Sequence, residues 1–176
     1  MKRTYALSAV AVTAAAVAAS LAGAGLASAA PESKTTKTAA ETTLGTSHYL
    51  PLVSARKAAD TAIAACKAKG YPVSVTIVNR DGVVIVQERA DTATGATVAV
   101  SAEKAYTAAG FQAPTEVFQN LAVTQPGFTA IPGFVILPGG LPITGGGSVI
   151  AAIGVSGAAS ATIDRDCATA GITALS

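Results

Sequence analysis

The residues able to do chemistry gather in one stretch, Gln87 to Phe111, which reads QERADTATGATVAVSAEKAYTAAGF. Arg89 ends a β-branched run, Asp91 to Gly95 forms a polar turn, and an alanine-rich segment carries Glu103, Lys104, Tyr106 and Thr107. Arg89 and Lys104 are suited to charge-assisted hydrogen bonds with a carboxylate; pairing with Asp91 and Glu103 is their ordinary surface or interface alternative. Tyr106 and Thr107 offer oxygen atoms to a metal, against core or interface packing for the tyrosine. Outside this stretch stand His48, Cys66, Cys167 and scattered charges.

Catalytic patterns are weak. Gly154-Val155-Ser156-Gly157-Ala158 approaches a nucleophile elbow but ends in alanine, and only His48 is available as its base. The glycines from 139 to 147 have neither GxGxxG spacing nor a P-loop lysine, so they read as turns. Two cysteines with no histidine nearby in sequence are a poor zinc pattern. Asp164 and Asp166 are read as acids in a first helical turn, where the helix dipole favours them, rather than as calcium ligands.

The chain that must position these groups has 176 residues, enough for one domain with its own core. Its first 29 residues have a secretory signal pattern: Lys2 and Arg3, an Ala/Val/Leu run, then Leu26-Ala27-Ser28-Ala29 with cleavage expected after Ala29. Removing Lys2 and Arg3 from twelve basic residues leaves ten against ten acidic ones, so the mature chain is formally neutral. It lacks the basic stripe that nucleic acid would require. Residues 30–49 form a polar leader without apolar periodicity, expected to be disordered. The domain is assigned to residues 50–176. An extracellular location permits Cys66 and Cys167 to pair, tying the first helix to the last; the alternative is two small buried hydrophobes.

Apolar periodicity predicts a helix from Ala55 to Lys69, capped by Ser54 and ended before Gly70. Val73 to Asn79 and Val83 to Glu88 are β-branched runs joined through Arg80-Asp81-Gly82, a hairpin pattern. A helix from Val98 to Gly110 follows, then a shorter helical piece from Thr115 to Ala122. Phe134 to Leu137 and Leu141 to Thr144 read as short strands between proline and glycine turns, and Ser148 to Ser156 as a buried strand. Thr162 to Ala174 closes the chain as a helix. The expected fold class is α/β of the α+β kind, a mainly antiparallel sheet of about five strands flanked by helices.

With these elements in order, VSVTIVNRDGVVIVQERAD, EKAYTAAGF, LPGGLPI and GGSVIAAIGVSGA, followed by an acidic residue, a cysteine and a last helix, make the chain resemble the GlcG/HbpS family of haem-binding proteins. The resemblance runs from about Leu50 to Leu175 and, with the signal peptide, is nearest the extracellular HbpS type. It implies a profilin-like or PAS-like fold, homo-oligomers (octamers for the HbpS type), haem bound outside the cell, and a redox-sensing link to a membrane sensor kinase of a two-component system. It also brings the family's haem-degrading attribution. A related domain accompanies corrinoid adenosyltransferases. An oligomeric receptor-binding scaffold without a ligand is the third reading.

Haem iron is usually held by His, Cys, Met or Tyr. The mature chain supplies one histidine, no methionine, the two cysteines, and Tyr49, Tyr71 and Tyr106. The candidate axial groups are His48, Tyr106, the Thr107 hydroxyl or water, with Thr107 in KAYTA the residue carried over from the family likeness. Arg89 and Lys104 are the candidates for the propionates. Relatives of the HbpS type tend to carry a histidine in the turn before this helix, where this chain has Thr94-Gly95-Ala96-Thr97. A role resting on that histidine has no residue here.

Overall fold

The computed structural model describes residues 45–176; the expected signal peptide, and the leader up to residue 44, lie outside the described residues. The elements run α1 (Leu52–Ala68), β1 (Ser74–Asn79), β2 (Val84–Arg89), α2 (Ala96–Phe111), a 3-10 turn (Thr115–Phe118), α3 (Gln119–Thr124), a second 3-10 turn (Pro126–Ala130), β3 (Gly140–Gly145), β4 (Ser148–Ser156) and α4 (Ala161–Thr173). The sheet has four strands in the order β2-β1-β4-β3, each pair antiparallel. This is the α+β class the sequence predicts, an antiparallel sheet flanked by helices.

The strand count is one fewer than expected. Phe134 to Leu137 does not join the sheet, because its backbone groups are taken by side chains. The Val135 amide donates to the Thr107 hydroxyl at 2.9 Å, and the Leu137 carbonyl accepts from the Thr115 hydroxyl at 2.6 Å. Helix α1 also starts earlier than Ser54 suggests. It opens at Leu52 behind Pro51, whose carbonyl accepts the Ala55 amide at 2.9 Å, and Ser54 lies inside the first turn. At α4 the cap is Ser160, whose hydroxyl accepts from the Ile163 amide at 3.4 Å.

Both sheet faces are covered. Val75, Ile77, Ala151, Ile153 and Val155 pack with the alanine face of α1 and with α4, forming the main core. Inside it Cys66 and Cys167 form a disulfide between α1 and α4, with Cα atoms 5.5 Å apart and both residues buried. On the other face Val78 and Ala152 meet Ala105, Ala108 and Ala109 of α2. Helix α2 comes so close that a Cβ on Gly154 would strike the Ser101 carbonyl oxygen and lie 2.6 Å from the Ala105 nitrogen. A row of hydroxyls fills the same seam: Ser74 with Thr97 at 2.7 Å, and Thr76 with Ser101 at 2.8 Å. These pairs run along β1 and α2 in the same sense. The N-terminus of α2 therefore stands over the start of β1, and Tyr106 reaches the β1–β2 hairpin turn.

Candidate functional site

Alanine spacing on α2 puts Ala105, Ala108 and Ala109 against the sheet, and the residues between them point elsewhere. Lys104 is directed toward the β3 side of the molecule. Its Nζ donates to the Asp164 Oδ2 at 2.9 Å and to the Val155 carbonyl at 2.9 Å, with the residue 1% exposed. Asp164 in turn accepts the Ala158 amide at 3.0 Å through Oδ1. Burial pushes the Lys104 pKa below its ordinary value, and the carboxylate of Asp164 opposes that shift. Neither sequence reading of these two residues describes what the fold does with them. Lys104 is an interior cation rather than a surface partner of Asp91 or Glu103, and Asp164 is a buried counter-ion as well as a first-turn acid.

Thr107 is fully buried and acts as a latch. Its hydroxyl donates to the Glu103 carbonyl at 2.7 Å and accepts the Val135 amide at 2.9 Å, fastening the segment after Pro132 to α2. For its oxygen to reach an outside ligand, that segment must lift. Tyr106, one residue earlier, is 43% exposed. Its ring lies against Gly82 of the hairpin turn and Gly133, both at positive φ, where a Cβ on Gly82 would collide with the ring. Phe134 packs on the same ring with centroids 5.6 Å apart. Phe111 then joins Phe134, Phe118 and Phe128, so all four phenylalanines brace the end of α2.

The exposed side of Tyr106 opens on a groove of about 460 Å³ lined by Val78, Gly82, Val84, Glu103, Pro132 and Gly133. The other candidates lie apart from it. Arg89 pairs across from Ser74 at the opposite end of β1, its Nη1 donating to the Ala93 carbonyl at 2.9 Å. From Ala96 to Tyr106 the helix rises roughly 15 Å at about 1.5 Å per residue, which sets the scale of the separation. Arg89 lines a different cavity, of about 760 Å³. His48 is exposed and lies against Gly146, bordering a third cavity of about 590 Å³ with Arg80 and Asp81. Within one chain the fold thus brings Tyr106 and Thr107 together, buries Lys104 beside them, sets Arg89 at the other end of α2, and places His48 in a separate cavity that flanks the same hairpin turn. Among the described residues no group of three or more His, Cys, Asp or Glu is placed to hold a metal ion.

The groove is lined mainly by apolar residues, Val78, Val84, Ala102, Pro132 and two glycines, with the Glu103 carboxylate and the Tyr106 phenol as its polar groups. Sequence reading found Tyr106 but not the wall. Gly82 and Gly133 were visible only as turn residues, and Phe134 only as part of a supposed strand.

The family model described as "Haem degrading protein HbpS-like" matches residues 50–173. A crystal structure of HbpS is 37% identical, covering 77% of this chain and 96% of that one, with a TM-score of 0.74. A double mutant of Streptomyces reticuli HbpS is 35% identical, covering 88% of this chain and 99% of that one, with a TM-score of 0.73. A PduOC:haem complex shares the fold at 23% identity and a TM-score of 0.67, covering 72% of this chain and 95% of that one. No curated protein matches the chain significantly.

Proposed function

The chain belongs to the HbpS-like family, and on that footing we propose that it is a secreted haem-binding protein whose porphyrin lies in the Tyr106 groove. The observation that supports this placement is the apolar wall of Val78, Val84, Pro132 and Gly133 ending at a half-exposed phenol. Tyrosine is an established haem ligand type, and it binds iron as the phenolate. Thr107 is the second oxygen within the same helical turn, and it becomes available only when Val135 releases it. Lys104 is held by Asp164 and Arg89 lies at the far end of α2, so neither is placed to pair with the propionates of a haem in this groove. His48 lines the neighbouring cavity on the Arg80–Asp81 side of the hairpin turn and not the groove itself.

Secretion rests on the signal pattern of residues 1–29, and the Cys66–Cys167 bridge is consistent with an oxidising compartment. The role we infer is that of a haem scavenger, or of a haem and redox sensor that works as a homo-oligomer with a membrane sensor kinase. Haem degradation is the second reading, favoured by the description of the matching family. The groove contains Glu103 as its one ionisable group besides Tyr106, which is a sparse set for general acid-base work.

A haem titration of the mature chain from Ala30 onward, followed at the Soret band, tests the proposal. A saturable band that Tyr106→Phe shifts or abolishes, and that Arg89→Ala and His48→Ala leave in place, is the expected result. Absence of a saturable band at micromolar protein removes the haem reading and favours the ligand-free receptor scaffold. Conversion of haem to an open tetrapyrrole with a reductant present would instead select the enzyme.

A further inference from the structure

The β1–β2 turn that meets Tyr106 stands out from the sheet: Arg80, Asp81 and Val83 are exposed, and Gly82 between them is half-buried against the Tyr106 ring. Asn79 holds this turn. Its side-chain Oδ1 accepts the Asp81 amide at 3.0 Å and the Val83 amide at 2.8 Å, and its carbonyl accepts the Gly82 amide at 3.0 Å. Its own amide donates to the Val83 carbonyl at 2.8 Å. Three successive turn amides therefore end on one residue, which is itself anchored in the sheet opposite Ala151 of β4. The turn so held presents the Gly82 backbone to the ring. Gly82 has φ +83°, and a Cβ there would lie 2.6 Å from the ring Cε2. At the other edge of the ring Gly133, with φ +79°, would bring a Cβ no nearer than 3.7 Å to Cδ1 and Cε1. The ring thus sits in a slot between two glycine backbones, and its phenol is one of the polar groups of the groove.

Given the haem reading of that groove, on which this rests, we propose that Asn79, acting through Gly82, is a positioning residue for the Tyr106 phenol. Asn79 borders the neighbouring cavity and not the groove, so it holds the ring without meeting the haem. A ligand atom held in its binding orientation gives tighter binding than one that occupies that orientation only part of the time. Position 82 requires glycine both for its positive φ and for the close approach of the ring. Position 79 requires a side-chain oxygen that accepts two amides, which aspartate also offers and alanine does not.

The test is read first in the haem-free mature protein, where NMR resonances of the Tyr106 ring protons and the Gly82 α-protons report the contact between them. Asn79→Ala should shift both sets, Asn79→Asp should preserve them, and the amides of α1 and α4 should stay in place in both variants. Gly82→Ala should displace the ring more than Gly133→Ala, which has a similar backbone strain without the collision. With haem added, Asn79→Ala should weaken binding by about tenfold, as loss of an outer partner does at metal sites, and reduce the phenolate-to-iron charge-transfer band. Asn79→Asp should restore both. Unchanged ring resonances in Asn79→Ala, or a displaced ring with haem affinity and spectrum unaltered, overturn the assignment. A wild type that binds no haem removes the haem reading instead, while the haem-free resonances still decide whether Asn79 holds the slot.

Discussion

Removing the Lys104 ammonium leaves the Asp164 carboxylate without its counter-ion in a place that water does not reach. Truncating one partner of a buried pair typically costs about 3 to 5 kcal/mol, whereas replacing both by apolar groups can be nearly neutral. Lys104→Ala is therefore expected to lower unfolding free energy by about that amount in urea. The double change Lys104→Met with Asp164→Leu should recover most of it, less the cost of the unpaired Ala158 amide. If the two single losses simply added in the double variant, the pair would not be coupled as described. Thr107 poses a smaller version of the same problem. Thr107→Val keeps the shape but leaves the half-buried Val135 amide without its acceptor, at a cost of about 1 kcal/mol. Faster hydrogen exchange at Val135, with the rest of α2 unchanged, is the signature expected of a released latch.

Between elements, the contact of β2 with α1 contains a carboxylate, Glu88, whose titration the fold disturbs. Glu88 faces Asp60 and Arg56 of α1, and Lys67 of the same helix borders the cavity it shares. Burial, and then Asp60, raise its pKa above the ordinary 4.5, so the folded chain holds this proton more tightly than the unfolded chain does. Its contribution to stability is fully present below about pH 4.5 and is lost as pH rises through the folded-state value. Glu88→Gln removes that loss. Its advantage over wild type should be small at pH 4, widen through the weakly acid range and stay constant near neutrality, as read from urea midpoints at each pH. A constant difference at every pH would mean that the glutamine acts through packing and not through charge.

At the level of the whole molecule, local pattern carried much of the architecture. The alanine spacing of α1 and α2, the Asp-Gly turn between β1 and β2 and the apolar run of β4 each report their own conformation within a few residues. What was illegible is what depends on distant partners. Lys104 meets an acid 60 residues further on, and Phe134 to Leu137 looks like a strand until Thr107 and Thr115 claim its backbone. Likewise the Tyr106 groove exists only where the hairpin turn and the segment after Pro132 meet. The disulfide belongs to the same class: two cysteines 101 residues apart were compatible with pairing or with separate burial, and the fold brings them together between α1 and α4. Closing a loop of that length stabilises the folded chain by about 4 to 5 kcal/mol in the chain-entropy model. Replacing both cysteines by serine should cost about that much, and adding reductant to the unfolded wild type should abolish the difference between the two. Because the bridge lies on the face of the sheet opposite α2, a double variant that remains folded at low temperature should retain the haem titration of the wild type. Loss of the Soret band in a demonstrably folded double variant would show instead that the α1–α4 face and the Tyr106 groove are mechanically linked through the sheet.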